Sequence, residues 1–243
     1  MIKIASWNIG KDEANADGVV DLDSYEYIKR MIVDNKIDVI CFQESITSSD
    51  NIIPISKYIN DSTELKCSCD FELSLSHINI GCMMGVSICS KFPITSYEKV
   101  MFENPNIEFK KDENTTYTSH DKGFLVANIA EMPLVVASGH CLPFHIFERS
   151  PTEYPEIFKS MEEKFTDVLR NSQNVIIAGD MNYHDVEELF PNIVGLTSKT
   201  VFGSTHKNIQ TDDILVSNNI KRVDKKTIET RFDHDLCVVI VSI

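Results

Sequence analysis

The sequence predicts an α/β sandwich, in which β-sheets pack face to face and helices lie on the outside. Short apolar runs alternate with turns along all 243 residues of the chain. Many of these runs carry β-branched residues at consecutive positions, which is typical of strands that are covered on both faces. Two segments have the period of an amphipathic helix, and many strands with few helices favour packed sheets.

Nine apolar runs have the composition and length of strands. They are Ile2–Asn8, Ile37–Gln43, Cys67–Leu75, Met84–Cys89, Phe124–Ala130, Leu134–Gly139, Val175–Ala178, Ile214–Ser217 and Leu236–Ile243. Helices are predicted over Ser24–Asn35 and Glu153–Arg170, where apolar side chains recur on one face. The polar segment Asn104–Lys122 has no clear period and predicts a long surface excursion. No repeat or Gly/Ser linker divides the sequence, so we expect a single domain over 1–243.

The net charge of -14 argues against a protein that coats nucleic acid, because nonspecific affinity depends on Lys and Arg neutralising phosphates. A carboxylate-rich site that recruits a cation is compatible with this charge. The longest apolar run, Leu236–Ile243, is shorter than the roughly 18 residues that span a bilayer, and no basic amphipathic helix is evident. We therefore expect no membrane partner.

The seven cysteines are an odd number and form no Cys-x-x-Cys pair, and most lie within apolar runs. This usage is typical of unpaired thiols in a reducing compartment. The N-terminus enters a strand directly after Met1 and leaves no room for a secretion signal. A cytoplasmic location is therefore expected. The sequence does not fix the oligomeric state, and a monomer is the simpler expectation.

Five apolar strands are flanked by short polar clusters. These are Trp7-Asn8, Gln43-Glu44, Gly139-His140, Gly179-Asp180-Met181-Asn182 and, just before the last strand, Asp233-His234. Strand ends and the loops that leave them are where catalytic groups gather, because the sheet fixes their positions.

Each cluster has a purely structural alternative when it is taken alone. Asn8 can satisfy backbone groups in a turn, and Asp180-x-Asn182 can be an Asx-rich turn. Glu44 can be a strand-end charge that faces water, and Asp233-His234 can be a surface pair. The recurrence of five such clusters favours a shared site.

In their order along the chain, these clusters resemble the motifs of the endonuclease/exonuclease/phosphatase superfamily, whose members include DNase I, AP endonucleases, neutral sphingomyelinases and inositol polyphosphate phosphatases. The matching segments are Ala5–Asn8, Phe42–Glu44, Ser138–His140, Gly179–Asn182, Asp212–Ser217 and Asp233–His234. The resemblance covers nearly the whole chain. It implies a DNase I-like four-layer sandwich of two mixed β-sheets with helices outside, and a phosphoester hydrolase that depends on Mg2+ or Mn2+.

The resemblance implies that Glu44 and Asp233 hold the metal. Both are hard oxygen donors, and Mg2+ prefers few protein carboxylates and several waters. Asn8 is expected to join the metal ligands or to orient Asp180.

By the same resemblance, Asp180 is the candidate general base that activates water. Asn182 would hydrogen-bond the scissile phosphate without adding negative charge, and His140 would stabilise the transition state. AP endonucleases have a tyrosine where this chain has His140, so a dedicated abasic-site enzyme is disfavoured.

His234 would bind the phosphate as a cation that Asp212 orients, because an adjacent carboxylate raises the affinity of an imidazole for its proton. The pattern Asp-x-Ile-x-Val-Ser selects Asp212 over Asp213. The family usually has Ser before the final Asp-His, whereas this chain has Phe232, so one polar contact beside the metal is expected to be absent.

The loop after His140 is where related enzymes vary their substrate contacts. His145, Phe144 and Arg149 are candidates to bind substrate there, although packing of the following helix explains this loop equally well. The remaining histidines match no catalytic motif, and they are His77, His120, His184 and His206.

Three functions are compatible with these residues. A nuclease or other phosphodiesterase ranks slightly above a phosphatase or phosphodiesterase for inositol, lipid or other small phosphates. The acidic surface argues against the first, and the lack of a basic amphipathic helix argues against a lipid substrate for the second. A catalytically inactive binding scaffold is the alternative from another class. The complete set of acidic and imidazole positions argues against the scaffold.

Overall fold

The computed structural model describes residues 1–10, 22–76 and 81–243. Two six-stranded sheets pack against each other, with helices on their outer faces. Both sheets contain parallel and antiparallel pairs. The α/β sandwich of two mixed sheets predicted from the sequence is confirmed.

The strands are numbered in chain order. The first sheet contains, in spatial order, β13 (Lys221–Ile228), β14 (Leu236–Ser242), β1 (Ile2–Asn8), β2 (Val39–Ser49), β4 (Cys82–Ser90) and β3 (Cys67–Leu75). The second contains β11 (Thr197–Lys199), β12 (Asp212–Ser217), β10 (Asn174–Asp180), β9 (Leu134–His140), β8 (Gly123–Ile129) and β5 (Ile94–Met101). A separate hairpin consists of β6 (Glu108–Lys110) and β7 (Thr116–Thr118).

The helices are α1 (Leu22–Asn35), α2 (Ile55–Ser62), α3 (Pro155–Asn171) and the single turn α4 (Val186–Leu189). The two predicted helices correspond to α1 and α3. The sequence analysis did not predict α2, which has 8 residues. Among the described residues, no helix has the length and apolar character needed to cross a bilayer.

Three apolar clusters separate the four layers of the fold. Alternating residues of each strand point to opposite faces of a sheet, so Val39 and Cys41 of β2 lie in the cluster between the sheets. Ile40 and Phe42 of the same strand lie in the cluster under α1 and α2. A third cluster lies between the second sheet and α3, which contributes Phe165. Consecutive apolar residues in the sequence therefore serve two different cores.

All nine predicted strands exist. The strands that the sequence analysis did not predict lie at the edges of the two large sheets or in the separate hairpin. β5 and β13 are each at the end of a sheet and are mostly exposed, so they lack the apolar runs that identify covered strands. The basic run of β13 is a solvated edge, which is one way that sheets avoid pairing with other chains. The hairpin of β6 and β7 lies within the segment predicted to be a polar excursion.

Candidate active site

Three polar residues lie in one row across the end of the second sheet. β9 and β10 are parallel, and His140 and Asp180 lie opposite each other at their carboxyl ends. β12 is antiparallel to β10 and places Asp212 opposite Asp180. Because neighbouring strands are about 5 Å apart, the strand register alone brings these side chains together at one sheet edge.

The first sheet contributes Asn8 to the same place. Its Nδ2 donates a hydrogen bond to Oδ2 of Asp180 at 3.0 Å. The backbone N–H of Gly10 donates to Oδ1 of Asn8 at 3.0 Å and holds the amide in this orientation. Of the two roles predicted for Asn8, these contacts favour orienting Asp180 over binding a metal.

Oδ2 of Asp180 is the atom on which the site converges. Nε2 of His140 lies 3.7 Å from it, and Nε2 of His234 lies 3.9 Å from it. The backbone N–H of Asn182 donates to the other oxygen, Oδ1, at 2.8 Å. Asp180 is 1% exposed, so these groups take the place of water around its carboxylate.

The pKa of Asp180 is raised to about 7, chiefly by burial and then by the neighbouring carboxylate of Asp212. His234 and the hydrogen bond from Asn8 act in the opposite direction. A carboxyl group with a pKa near neutrality can both hold and release a proton at physiological pH. This property suits a general base.

His234 is held from two sides. Its Nδ1 donates to Oδ2 of Asp212 at 2.9 Å, and its carbonyl accepts hydrogen bonds from Nε1 of Trp7 at 3.1 Å and Oγ1 of Thr230 at 2.7 Å. Burial lowers the pKa of His234, but the carboxylates of Asp212 and Asp180 outweigh it and raise the pKa to about 10. At neutral pH the ring is therefore a fixed cation.

Glu44 lies at a bulge of β2, where the pairing with β4 shifts between Gln43 and Ser45. Its φ of 54° is in the left-handed region, which a bulge can require. Oε1 of Glu44 lies 3.6 Å from Nε2 of His140, and the side chain is 18% exposed. A Cβ at Gly10 would lie 1.7 Å from Oε2 of Glu44, so glycine is required there for the carboxylate to reach the site.

Asn182 also has a left-handed backbone, with φ of 50°. Its N–H bond to Asp180 forms the Asx turn that was the structural alternative for this motif. Its Nδ2 donates to the carbonyl of Cys141 at 3.0 Å. The turn therefore lies within the site and fixes the amide of Asn182 beside Asp180.

Lys122 is a site residue that the sequence analysis missed. It is 6% exposed, and its Nζ lies 3.0 Å from Nδ1 and 3.3 Å from Nε2 of His140. Burial lowers the pKa of Lys122, while the charges of Glu44 and Asp180 act in the opposite direction. The position of Lys122 directly before Gly123, the first residue of the buried strand β8, could have identified it. A lysine at this position lies at the strand end where the catalytic groups gather.

His206 was left without a role and also lies in the site. Its ring stacks on His234 at a centroid distance of 4.2 Å, and its Nδ1 lies 3.0 Å from the carbonyl of Asp233. A carbonyl can only accept, so Nδ1 of His206 is the donor. Burial and the charge of His234 lower the pKa of His206. His77, another histidine that matches no motif, lies outside the described residues.

The fit of a metal depends on the oxygen donors. Two groups of side chains place ligand atoms within 4.8 Å of one another, namely Asp180, Asp212 and His234, and His206, Asp233 and His234. In the part of the chain that the structure describes, Glu44 belongs to neither group. The rings of His206 and His234 are stacked with 27° between their planes, so their ring nitrogens do not point at a common position. The carboxylates in these two groups are hard oxygen donors, which divalent cations prefer as ligands.

Of the three residues predicted to contact substrate in the loop after β9, Phe144 is buried, whereas His145 and Arg149 are exposed. Phe144 is 2% exposed and stacks on Tyr154 at a centroid distance of 4.9 Å, so its ring packs in the core under α3. Arg149 is exposed and lies 3.5 Å from the carboxylate of Glu153. His145 is exposed, and partial burial of its ring lowers its pKa.

The model of the endonuclease/exonuclease/phosphatase family matches residues 5–229. The chain belongs to this family. Its members are phosphoester hydrolases, and the five clusters identified in the sequence all lie within or directly after the matched segment. A comparison with curated protein sequences gave no match.

Solved structures of this family are similar over the full length of the chain. An endonuclease/exonuclease/phosphatase family protein from Leptotrichia buccalis has a TM-score of 0.65 at 15% identity, with 100% of both chains covered. The 3′ phosphatase NExo from Neisseria, solved with a product DNA hairpin, has a TM-score of 0.64 at 14% identity, with 100% of both chains covered. A mannosyl-6-phosphatase from Bacteroides thetaiotaomicron has a TM-score of 0.62 at 14% identity, again with 100% of both chains covered. At these identities the likeness establishes the DNase I-like fold.

Proposed function

We propose that this chain is a divalent-metal-dependent phosphodiesterase, with nucleic acid as its first candidate substrate, and that it acts as a cytoplasmic, single-domain enzyme. The observation that carries the proposal is the surrounding of Oδ2 of Asp180. One amide and two imidazoles lie 3.0 to 3.9 Å from this buried oxygen. Such an arrangement can hold both a water molecule and an attacked phosphate.

Asp180 acts as the general base in this proposal. The oxygen of water bonds to phosphorus while the P–O bond to the leaving alcohol breaks. Asp180 accepts the proton of the water, and the leaving oxygen takes up a proton from solvent. Asn8 keeps the carboxylate oriented. Asn182, whose Nδ2 already donates one N–H to the carbonyl of Cys141, would donate its other N–H to the phosphate. The pKa of Asp180 near 7 supports this role, because a base is most effective when its pKa is close to the working pH.

The imidazoles stabilise the charge that develops on the phosphoryl oxygens. His234 is a cation at neutral pH because Asp212 raises its affinity for the proton, and it supplies a fixed positive charge in a buried setting. His140 supplies a hydrogen-bond donor from the opposite side. Preorganised groups of this kind contribute strongly, and loss of a single donor costs on the order of 100-fold in rate.

Glu44 and Asp233 are the residues that would hold the metal. A bound divalent cation supplies charge neutralisation on the nonbridging oxygens and lowers the pKa of coordinated water. Among the described residues, Asp233 belongs to one of the two groups of neighbouring ligand atoms, whereas Glu44 belongs to neither, so the assignment of Glu44 rests on the family resemblance and on its partly exposed carboxylate. Mg2+ or Mn2+ is the ion expected at such donors.

A phosphatase or phosphodiesterase for small phosphates is the second candidate. The net charge of -14 favours it, since a polyanionic nucleic acid is repelled by an acidic surface. The similar structures include both kinds of enzyme, since one is a 3′ phosphatase bound to a product DNA hairpin and another is a mannosyl-6-phosphatase.

A panel of substrates with Mg2+ tests the proposal. It contains single-stranded DNA, 5′-phosphotyrosyl DNA, inositol polyphosphates and a bis-nitrophenyl phosphate ester. Cleavage of the diesters, with loss of activity in Asp180→Asn, supports the phosphodiesterase. Hydrolysis confined to the inositol phosphates favours the second candidate. Absence of any hydrolysis, with partner binding unchanged in Asp180→Asn, supports an inactive scaffold and overturns the proposal.

A further inference from the structure

The connection between β13 and β14, residues 229–235, carries both Asp233 and His234. The pairing of the two strands ends at Ile228 and Leu236, so the connection lies outside their continuous ladder of backbone hydrogen bonds. Individual contacts must therefore hold it. The position of His234 in the site depends on what this connection packs against.

Arg231 joins the connection to the first two turns of α1. Its Nη1 donates to Oδ2 of Asp23 at 2.6 Å, and its Nη2 donates to Oγ of the buried Ser24 at 3.0 Å. The guanidinium carbon lies 4.6 Å from the centroid of the Tyr27 ring. The backbone N–H of Arg231 donates to Oη of the same tyrosine at 3.2 Å. One residue therefore binds α1 through both its backbone and its side chain.

The next residues carry this attachment into the site. Phe232 is 4% exposed, and its ring makes an edge contact with Trp7 at a centroid distance of 5.1 Å. Nε1 of Trp7 donates to the carbonyl of His234 at 3.1 Å. The contacts with α1 at Arg231 and the hydrogen bond at His234 thus lie at the two ends of the segment 231–234. A shift at one end should be transmitted to the other.

We propose that Arg231 is a positioning residue that, by binding α1, holds His234 at its place beside Asp180, a role that rests on the proposed phosphoester hydrolysis. Nε2 of His234 lies 3.9 Å from Oδ2 of Asp180, the carboxylate assigned as the base. Small displacements of a catalytic group are costly, because the rate depends on its alignment with the reacting atoms. Arg231 itself acts through His234.

The contacts of Arg231 differ in strength. The side chain of Asp23 is 72% exposed, so water screens this ion pair and it contributes little. The hydrogen bond to Ser24 and the stacking on Tyr27 are better protected, since the side chain of Arg231 is 25% exposed. Both depend on the planar guanidinium, whose several donors can bond and stack at once. Lysine offers a point charge without this plane and should replace Arg231 only in part.

The first experiment follows the hydrogen bond at His234. Trp7 is the only tryptophan of the sequence, so its indole N–H gives a single assignable signal in 1H–15N spectra. In Arg231→Gln, this signal should move towards the position of an indole without a hydrogen bond, and its exchange with solvent should be at least about tenfold faster than in the wild type. The backbone amides of β9 and β10 should keep their exchange rates.

Arg170→Gln, which changes an exposed arginine in the last turn of α3, is the matched control and should leave the indole signal unchanged. Tyr27→Phe keeps the ring but removes the acceptor of the Arg231 backbone N–H, and it should move the signal in the same direction by less. An unmoved indole signal in folded Arg231→Gln overturns the proposal. A wild-type indole N–H that exchanges as fast as an exposed indole overturns it even if Arg231→Gln fails to fold.

The second experiment measures catalysis on the substrate that the panel identifies. Arg231→Gln should lower kcat on the order of 100-fold, the cost of displacing a catalytic group by about 1 Å, with a change in KM of less than about threefold. Arg231→Lys should recover part of the loss. A residue that only stabilises the fold would lower the midpoint of urea denaturation and leave kcat of the folded protein unchanged.

The two experiments separate the two hypotheses. If the wild-type protein hydrolyses no phosphoester, the proposed function fails, and the indole signal alone decides whether Arg231 positions His234. If the protein is active and folded Arg231→Gln keeps kcat within about threefold of the wild type, the role of Arg231 is refuted while the proposed function stands.

Discussion

Replacing Asp180 by Asn should inactivate the enzyme and, in a metal-free buffer, make the folded protein more stable. Asn has nearly the shape of a protonated Asp, so the substitution keeps the side chain and removes its charge. Burial and Asp212 make that charge unfavourable in the folded state. The function of Asp180 therefore costs stability.

The magnitude follows from the pKa of Asp180. Its value rises from 3.8 to about 7 on folding, and each unit corresponds to about 1.4 kcal/mol. The unfolded chain releases its proton near pH 3.8 and the folded protein near pH 7, so the free energy of unfolding falls as pH rises between these values. The gain in Asp180→Asn should be roughly 2 kcal/mol near pH 5 and roughly 4 kcal/mol at pH 8.

Urea denaturation in EDTA at pH 5 and pH 8 measures this gain. Asp213→Asn is the matched control, because Asp213 is also buried with a pKa raised to about 7, mainly by burial. Asp213 accepts a hydrogen bond from Gln210 outside the row of catalytic groups, so Asp213→Asn should gain stability and keep its activity. The reasoning is refuted if Asp180→Asn is less stable than the wild type at pH 8, or if its gain is equal at the two pH values.

Three further predictions concern catalysis. The value of kcat/KM should rise with pH up to about pH 7 as Asp180 loses its proton, and it should fall near pH 10 as His234 loses its proton. A bound cation should shift the rising part of the pH–rate profile to lower pH. A profile that is flat from pH 5 to pH 8 would contradict the assignment of Asp180 as the base. Glu44→Gln should weaken Mg2+ binding in calorimetry and lower kcat about 1,000-fold, whereas unchanged Mg2+ affinity would exclude Glu44 as a ligand. Asp212→Asn should lower the pKa of His234 from about 10 towards 6.5, which NMR titration can follow, and should lower kcat about 100-fold or more. An unchanged pKa would show that Asp212 does not stabilise the positive charge of His234.

The strands that are covered on both faces could be predicted from the sequence, because burial on both faces requires a continuous run of apolar residues. The run before Trp7 and the run before Glu44 both lie in the centre of the first sheet, with apolar neighbours on each face. Edge strands such as β5 have no such apolar run, because they pair with a neighbouring strand on one side only and most of their side chains are exposed to water. Their place in the fold depends on pairing partners that are distant in the sequence.

The motif residues of the site were predictable because each one follows or precedes a recognisable strand. Lys122 and His206 were not, and the reasons differ. In the sequence, Lys122 is one more polar residue at the end of a surface excursion. Only the pairing of β8 with β9 shows that it lies beside His140. His206 enters the site through a turn that pairs with His234, and no local pattern encodes that contact. Phe144 was predicted to bind substrate because it lies in a loop that varies among related enzymes, but its ring packs in the aromatic cluster under α3.

The charge balance of the site connects its chemistry with its need for a cation. Four carboxylates, those of Glu44, Asp180, Asp212 and Asp233, are opposed by two cationic side chains, Lys122 and His234. With all six groups in their charged forms, two negative charges remain, which a single divalent ion would neutralise. Without that ion, Asp180 is forced towards its protonated form, since burial and Asp212 both oppose its charge. The same arrangement that disfavours the charge of the base should therefore favour a divalent cation, and binding of the cation should restore the carboxylate that catalysis requires.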